Sequence, residues 1–281
     1  MFFLKVSENL EIHYTLDDFT DPWRQRPVLL LQHGNGRSGK FWTSWIPYLS
    51  RHFRVVRPDM RGLGLSRGML DLEKDINAAA LVGDLEKLID ALGCGPVHFC
   101  GESMGGILGI LLAAQKPQLL RSLTLVATPV FIEQGMKTRY SLGHGSRTDA
   151  MEKMGIRAWV EQTTRGTRIP EDERPELFRW YVDEFVKNSP DVQVAMSHVV
   201  NQANVSALLN QVHLPVLGLY PTSGQITSAD QEVLLLKGIP QIEMVHLPTP
   251  YHMVQLLYPK ACTEKLLAFC ARVDGDQLAD E

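Results

Sequence analysis

A short β-prone run, Val97-His98-Phe99-Cys100, leads into Gly101-Glu102-Ser103-Met104-Gly105. A long apolar stretch follows, from Met104 to about Ala114, and Lys116-Pro117 closes it. This order constrains the fold more than any other part of the chain. Gly-x-Ser-x-Gly is common by itself, but between a strand and a helix it describes a sharp turn with a serine at its apex. A serine hydroxyl is a poor nucleophile until it is held in an exposed, strained position beside a base, and glycines at 101 and 105 remove the side chains that would clash there. Ser103 is therefore the candidate nucleophile, against the plainer reading of a helix-capping serine.

The rest of the pattern sets the frame around that turn. Phe2 to Val6 and Leu10 to Leu16 read as an edge hairpin. Val28-Leu29-Leu30-Leu31 is a continuous apolar run, suited to a strand buried on both faces of a parallel sheet. Further strands are expected at Phe53 to Val56, Val97 to Cys100, Leu123 to Ala127, Val216 to Tyr220 and Ile242 to Leu247. Helices are expected at Phe41 to Leu49 and at Asp75 to Leu92, the latter capped by Gly93. Strands alternating with helices argue for an α/β, mostly parallel, doubly wound sheet of about eight strands. The alternation breaks once: from Val130 to about Gln211 no buried-strand run occurs. Trp159, Trp180, Tyr181 and Phe185 lie there among many charges, which predicts a mostly helical insertion over the carboxyl edge of the sheet. The division expected is a core of residues 1–129 and 212–281 with an insertion of residues 130–211. The polar residues 274–281 are expected to fray.

Composition narrows the function classes. The 281 residues are 44% hydrophobic, enough for one large core with an inserted subdomain. A net charge of −4 without a basic tract implies neither nucleic acid nor an anionic membrane as partner. No stretch approaches the ~20 apolar residues of a membrane span. Cys94, Cys100, Cys262 and Cys270 show no metal-ligand spacing and read as buried free thiols in a reducing compartment. The expectation is a soluble cytoplasmic protein with no metal and no cofactor, acting on a small molecule; oligomeric state is not legible.

Other features converge on Ser103. His33-Gly34-Asn35-Gly36 follows the buried strand Val28–Leu31, where a glycine-rich turn can aim a backbone N–H at a developing negative charge. Paired with the N–H of Met104, the N–H of Asn35 would form an oxyanion hole, with Gly34 and Gly36 as close alternatives. The base is expected beyond the last strand, and His252 in Thr249-Pro250-Tyr251-His252 fits that place. His246 lies within the strand itself, and His144, His198 and His213 fall in or at the edge of the insertion. The turn Arg57-Pro58-Asp59-Met60-Arg61-Gly62-Leu63-Gly64-Leu65-Ser66 reads as a structural support.

Together the His-Gly loop, the Asp-x-Arg-Gly-x-Gly-x-Ser turn, the Gly-x-Ser-Met-Gly-Gly elbow and the C-terminal histidine resemble the α/β-hydrolase superfamily. The likeness points to its branch of small esterases, lactonases, haloperoxidase-like enzymes and carbon–carbon bond hydrolases. It implies the α/β-hydrolase fold, with the insertion as a cap over the substrate pocket. Epoxide hydrolases and haloalkane dehalogenases place Asp at the elbow, so Ser103 argues against both. One family element is missing. The acid expected after Val216–Tyr220 falls on Gly224, and the candidates to orient His252 are Asp230, Glu133, Thr222, Ser223, a backbone carbonyl or a water. Asp230 also fits a capping box, Ser228-Ala229-Asp230-Gln231. The leading expectation is a cofactor-independent serine hydrolase of a carboxylic ester or lactone. Alternatives are a carbon–carbon hydrolase of a carboxylate-bearing diketone, clamped by Arg37, Arg139, Arg147, Arg157, Arg165 or Arg168, and a ligand-binding receptor with vestigial turnover.

Overall fold

In the computed structural model, which describes residues 1–275, nine strands form one sheet. They are β1 (Phe2–Ser7), β2 (Leu10–Asp17), β3 (Val28–Gln32), β4 (Arg54–Pro58), β5 (Arg67–Gly68), β6 (Val97–Glu102), β7 (Leu120–Val126), β8 (Val216–Pro221) and β9 (Ile242–Leu247). The spatial order is β1-β2-β4-β3-β6-β7-β8-β9, with β5 paired to β2. β2 is antiparallel to β1 and β4, and every pair from β4 to β9 is parallel. β3, β6 and β8 are buried along their whole length, because helices cover both faces of the parallel part.

The helices are α1 (Ile46–Leu49), α2 (Leu72–Asp75), α3 (Ala78–Leu92), α4 (Met104–Gln115), α5 (Gln134–Ser141), α6 (Arg147–Met154), α7 (Ile156–Thr164), α8 (Pro175–Phe185), α9 (Pro190–Gln202), α10 (Ala229–Gly238), α11 (Val254–Leu257) and α12 (Pro259–Asp274). Helix α4 is apolar nearly all round because it is enclosed by the sheet and its neighbours. One apolar cluster packs α3, α4 and the helices between β7 and β8 on one face of the sheet; Trp42, Trp45, Leu49 and α12 build the other. Between β7 and β8 the described residues form helices and turns, and the one pairing there is the bridge Phe131–Asn204 at the base of the segment.

Several local expectations shift, each for a readable reason. The segment Phe41–Leu49 is a 3₁₀ turn, Gly39–Trp45, followed by a single α-helical turn with Pro47 in its first positions. The helix expected from Asp75 breaks at Ile76, because Asp71 caps α2 and Asn77 caps α3, its side chain accepting from the Ala80 N–H at 2.9 Å. Gly93 ends α3 with φ 58°, as expected of a C-cap glycine. Asp274 does not fray: it closes α12, accepting from Arg121 at 3.0 Å and lying 3.1 Å from His98 Nε2. The rest of the tail expected to fray, 276–281, lies outside the described residues. Cys94 is half-buried, whereas Cys100, Cys262 and Cys270 are buried, and all four are free. Among the described residues no helix is long and apolar enough to cross a membrane, and no cluster of His, Cys, Asp and Glu is arranged to hold a metal.

The topology fixes where chemistry can sit. The chain runs from β3 to β4 on one side, then crosses over to β6 on the other. That reversal opens a crevice at the carboxyl ends of β3 and β6, the usual ligand position in such sheets. Gln32 pairs with Gly101 in the ladder, so the loops beginning at His33 and Ser103 emerge side by side.

Candidate functional site

Ser103 sits at the apex of the turn from β6 to α4 with φ 53° and ψ −115°. A non-glycine residue at positive φ carries strain, on the order of 1–2 kcal/mol, which the ladder around it must hold. Its N–H donates to Val126 O at 3.0 Å, so β7 anchors the strained residue. Its hydroxyl does not cap α4. The capping alternative therefore fails. Gly105 is obligatory because the carbonyls of Gln32 and His33 occupy the space a Cβ would take. Met104 is the first residue of α4, where the N–H groups have no helical partner and the helix dipole is positive.

The loop after β3 packs against this turn. His33 Nε2 accepts from the Met60 N–H at 3.0 Å, so its Nδ1–H donates to Gly34 O at 2.7 Å. Burial lowers its pKa and keeps it neutral. The Gly34 N–H donates to Glu102 Oε2 at 3.0 Å, which removes it as a free donor. Asn35 is buried, and both polar atoms of its carboxamide lack a partner among the described residues. Gly36 adopts φ 70°, and its carbonyl accepts from Asn188 at 3.0 Å.

His252 lies between β9 and α11 and is 2% exposed. Its N–H donates to Thr167 O at 2.9 Å and the Met253 N–H donates to Arg168 O at 3.2 Å, pinning this loop to the turn after α7. Its Nε2 stands 3.3 Å from Glu102 Oε1, the residue immediately before Ser103. The approach is close enough for an ion pair but off the line of a hydrogen bond, and Oε1 has no other donor. Nδ1 is buried without a partner among the described residues. Burial lowers the His252 pKa; the Glu102 carboxylate opposes this, and Arg37 and Arg168 reinforce it. Burial alone would raise the Glu102 pKa, but Arg37 first, then His252 and the Gly34 N–H, bring it below the usual carboxylate range. The pair is thus an anionic Glu102 beside a neutral His252.

The candidates considered for the orienting acid do not reach His252. Asp230 is exposed in the first turn of α10, which Ser228 caps by accepting from the Gln231 N–H at 3.4 Å. Glu133 is engaged by Ser228 and Gln231. Thr222 donates its hydroxyl to Leu247 O, and Ser223 is exposed. At Gly224 an added Cβ would meet Pro221 Cγ at 2.7 Å, so that position has no room for a side chain. Glu102 is the functional candidate sequence reasoning missed. Its signal was present: a lone carboxylate at the end of an otherwise apolar buried strand.

Of the six arginines considered as clamps, Arg139, Arg157 and Arg165 are exposed, and Arg37, Arg147 and Arg168 are buried. Arg37 donates to Glu102 Oε2 at 2.9 Å and to the Tyr181 hydroxyl at 3.2 Å. Arg147 and Arg168 both pack on Tyr140 and Trp159. Next to the elbow, between α4 and α9, lies a cavity of about 1220 Å³ lined by Ile76, Met104, Ile107, Met151 and Val194 among others. Trp159 is core, its Nε1–H donating to Tyr140 O, and Trp180 is half-buried against Phe41.

The turn after β4 is closed on itself. Asp59 accepts from the N–H groups of Gly39 at 2.7 Å and Leu65 at 2.9 Å and lies 2.8 Å from His13 Nδ1. Arg61 makes a two-pronged contact with Asp84 at 2.7 and 2.6 Å. This turn is structural, and it carries the β3 loop through Gly39.

Comparison with known proteins gives a consistent picture. The profile of the alpha/beta hydrolase fold family matches residues 27–259. A putative carbamate hydrolase, RutD, of Agrobacterium fabrum is 26% identical over 94% of this chain and 99% of its own. A pimeloyl-[acyl-carrier protein] methyl ester esterase of Nitrosomonas europaea is 25% identical over 83% of this chain and 92% of its own. Among solved structures, a hydrolase from Pseudomonas aeruginosa superimposes with a TM-score of 0.82 at 26% identity, covering 95% of this chain and 97% of the other.

Proposed function

Since the chain belongs to the α/β hydrolase fold family, we propose that it is a cofactor-independent serine hydrolase of a carboxylic ester or lactone. Ser103 is the nucleophile, His252 the base, and the N–H groups of Met104 and Asn35 form the oxyanion hole. One observation carries this reading: a serine held at φ 53° whose hydroxyl serves no cap, and a buried histidine whose Nε2 lies 3.3 Å from the carboxylate of the preceding residue, Glu102. The similar proteins are named for carbamate and methyl ester substrates. Both groups carry an acyl carbon with a heteroatom leaving group, which favours acyl transfer over carbon–carbon cleavage.

In the proposed sequence, His252 accepts the Ser103 proton as Oγ bonds to the acyl carbon. The carbonyl electron pair moves onto oxygen, and the two N–H groups stabilise it. Collapse breaks the bond to the alcohol, which takes the proton from the imidazolium. Water, deprotonated by His252, then releases the acid and frees Ser103. Glu102 offsets the positive charge that the imidazolium carries between these transfers. The helices between β7 and β8 act as a cap over the crevice. The free thiols suit a cytoplasmic setting.

A fluorophosphonate probe tests the assignment. It is expected to label Ser103, and Ser103→Ala is expected to abolish labelling and lower p-nitrophenyl acetate turnover by on the order of 10³-fold or more. Equal labelling of both proteins would overturn it.

A further inference from the structure

Five arginines of this chain are buried: Arg37, Arg57, Arg61, Arg147 and Arg168. Three of them hold a carboxylate. Arg37 has Glu102 at 2.9 Å, Arg57 has Asp17 at 2.7 Å, and Arg61 has Asp84 at 2.6 Å. Among the described residues, Arg147 and Arg168 form no ion pair. Arg168 donates to the hydroxyls of Thr163 and Thr164, at 3.0 and 3.5 Å, and Arg147 makes no hydrogen bond, its Nε being sealed from solvent without a partner.

The two guanidiniums share one aromatic floor. Arg147 Cζ lies 5.2 Å from the Tyr140 ring centroid and 4.8 Å from that of Trp159; Arg168 Cζ lies 4.9 and 5.9 Å from the same two. Burial first, and then the neighbouring Arg168 and Arg37, push the Arg147 pKa down to about 10, so Arg147 remains charged at neutral pH. Ring faces attract each cation but supply no anion. A buried charge without a counter-charge is a costly arrangement, and the threonine hydroxyls do not neutralise it. Here two such charges lie within electrostatic reach of each other.

Their place in the fold points to the reacting groups. The carbonyl of Arg168 accepts from the Met253 N–H, and that of Thr167 accepts from the His252 N–H. Arg147 lies one helical turn from Met151 on the same face of α6, and Met151 and Met104 line the apolar cavity together. The site therefore offers an apolar bed beside the elbow and two unmatched forked donors near the base.

We propose that Arg147 and Arg168 form a subsite for a carboxylate carried by the substrate, which makes the natural substrate an ester or lactone of an acidic molecule with an apolar body. A planar carboxylate can accept from both guanidinium forks, and desolvated contacts of this kind are the strong ones. The proposal rests on the reading of Ser103 and His252 as the hydrolytic pair, but one arm of the test below does not require turnover.

The readout is the ratio of kcat/KM for mono-p-nitrophenyl glutarate to that for p-nitrophenyl butyrate, measured on wild type, Arg147→Met, Arg147→Lys and Lys153→Met. Arg147→Met is expected to lower the ratio by about 10- to 100-fold, mostly through KM for the glutarate ester, as loss of a charge-assisted contact implies. Arg147→Lys keeps the charge without the fork and falls between. Lys153, exposed on the same helix and paired with Asp149, controls for net charge, and its substitution leaves the ratio unchanged. A ratio for Arg147→Met within about twofold of wild type, or an equal fall in Lys153→Met, overturns the subsite. Failure of wild type to hydrolyse either ester defeats the hydrolytic reading alone. Calorimetric binding of glutarate then decides: affinity at least about 10-fold weaker in Arg147→Met supports the subsite, and no binding by wild type overturns it.

Discussion

In the turn that follows β4, each buried charge has a bonded partner. Asp59 is satisfied by two backbone N–H groups and His13, and Arg61 by both oxygens of Asp84. Around His252 the bonding is incomplete. Among the described residues, Nδ1 of His252, the Asn35 carboxamide, Oε1 of Glu102 and Nε of Arg147 are all buried without a well-formed hydrogen bond. Both regions stand at the carboxyl ends of neighbouring strands and both are rich in glycine and charge. What separates them is closure: one uses its polar groups to hold the chain, and the other leaves several of them unpaired. Open valence of this kind has a stability cost, which a structural role does not require and a ligand would relieve.

Three substitutions and one titration press on that contrast. Glu102→Gln touches both sides of it, because Glu102 holds Arg37 on one oxygen and faces His252 with the other. Turnover of p-nitrophenyl acetate is expected to fall by on the order of 10²-fold, short of the ~10⁴ known for a fully aligned triad acid. Stability should drop by about 3 kcal/mol as Arg37 loses its counter-charge, read by urea unfolding. Unchanged turnover would remove Glu102 from the chemistry and leave it a strut.

Asp84→Asn probes the closed region alone. It is expected to cost about 3 kcal/mol in urea unfolding by leaving Arg61 uncompensated, with kcat per folded molecule unaltered. Arg147→Met, by contrast, removes a cation that has no counter-charge and is expected to shift stability by less than about 1 kcal/mol in either direction, or to raise it. Equal losses from the two substitutions would dissolve the distinction between the regions.

The smallest effect is a pH displacement. His252 must be neutral to accept a proton, and burial lowers its pKa. The acid limb of kcat/KM is therefore expected below the ordinary histidine value of 6.5, with activity retained above it and lost as pH falls through the lowered pKa. Since Glu102 raises that pKa, Glu102→Gln should move the limb further toward acid. A limb at or above 6.5 would mean that the imidazole is not held as buried and neutral as the structure has it.

Much of the frame could be read along the chain because each buried strand is a local apolar run. Val28 to Leu31, Val97 to Cys100 and Val216 to Tyr220 announce themselves by composition, and the elbow by its glycines. Two breaks in helices were less visible, since Asn77 looks like one more polar position until its side chain is found accepting from Ala80. The missing carboxylate was the main gap. Family spacing points to Gly224, where the structure has no space, whereas Glu102 stands beside Ser103 in sequence and meets His252 only through folding. The unmatched state of Arg147 and Arg168 was equally hidden. Nothing local distinguishes them from Arg139 or Arg165; burial and the absence of a counter-charge belong to the assembled molecule.

The two hydrogen bonds from His252 and Met253 to the carbonyls of Thr167 and Arg168 restrict how the crevice can exchange its contents. A rigid swing of the helices above the sheet would tear the imidazole's own peptide link from its mooring. Any exchange that leaves those moorings intact has to proceed without a rigid lift of the helices between β7 and β8.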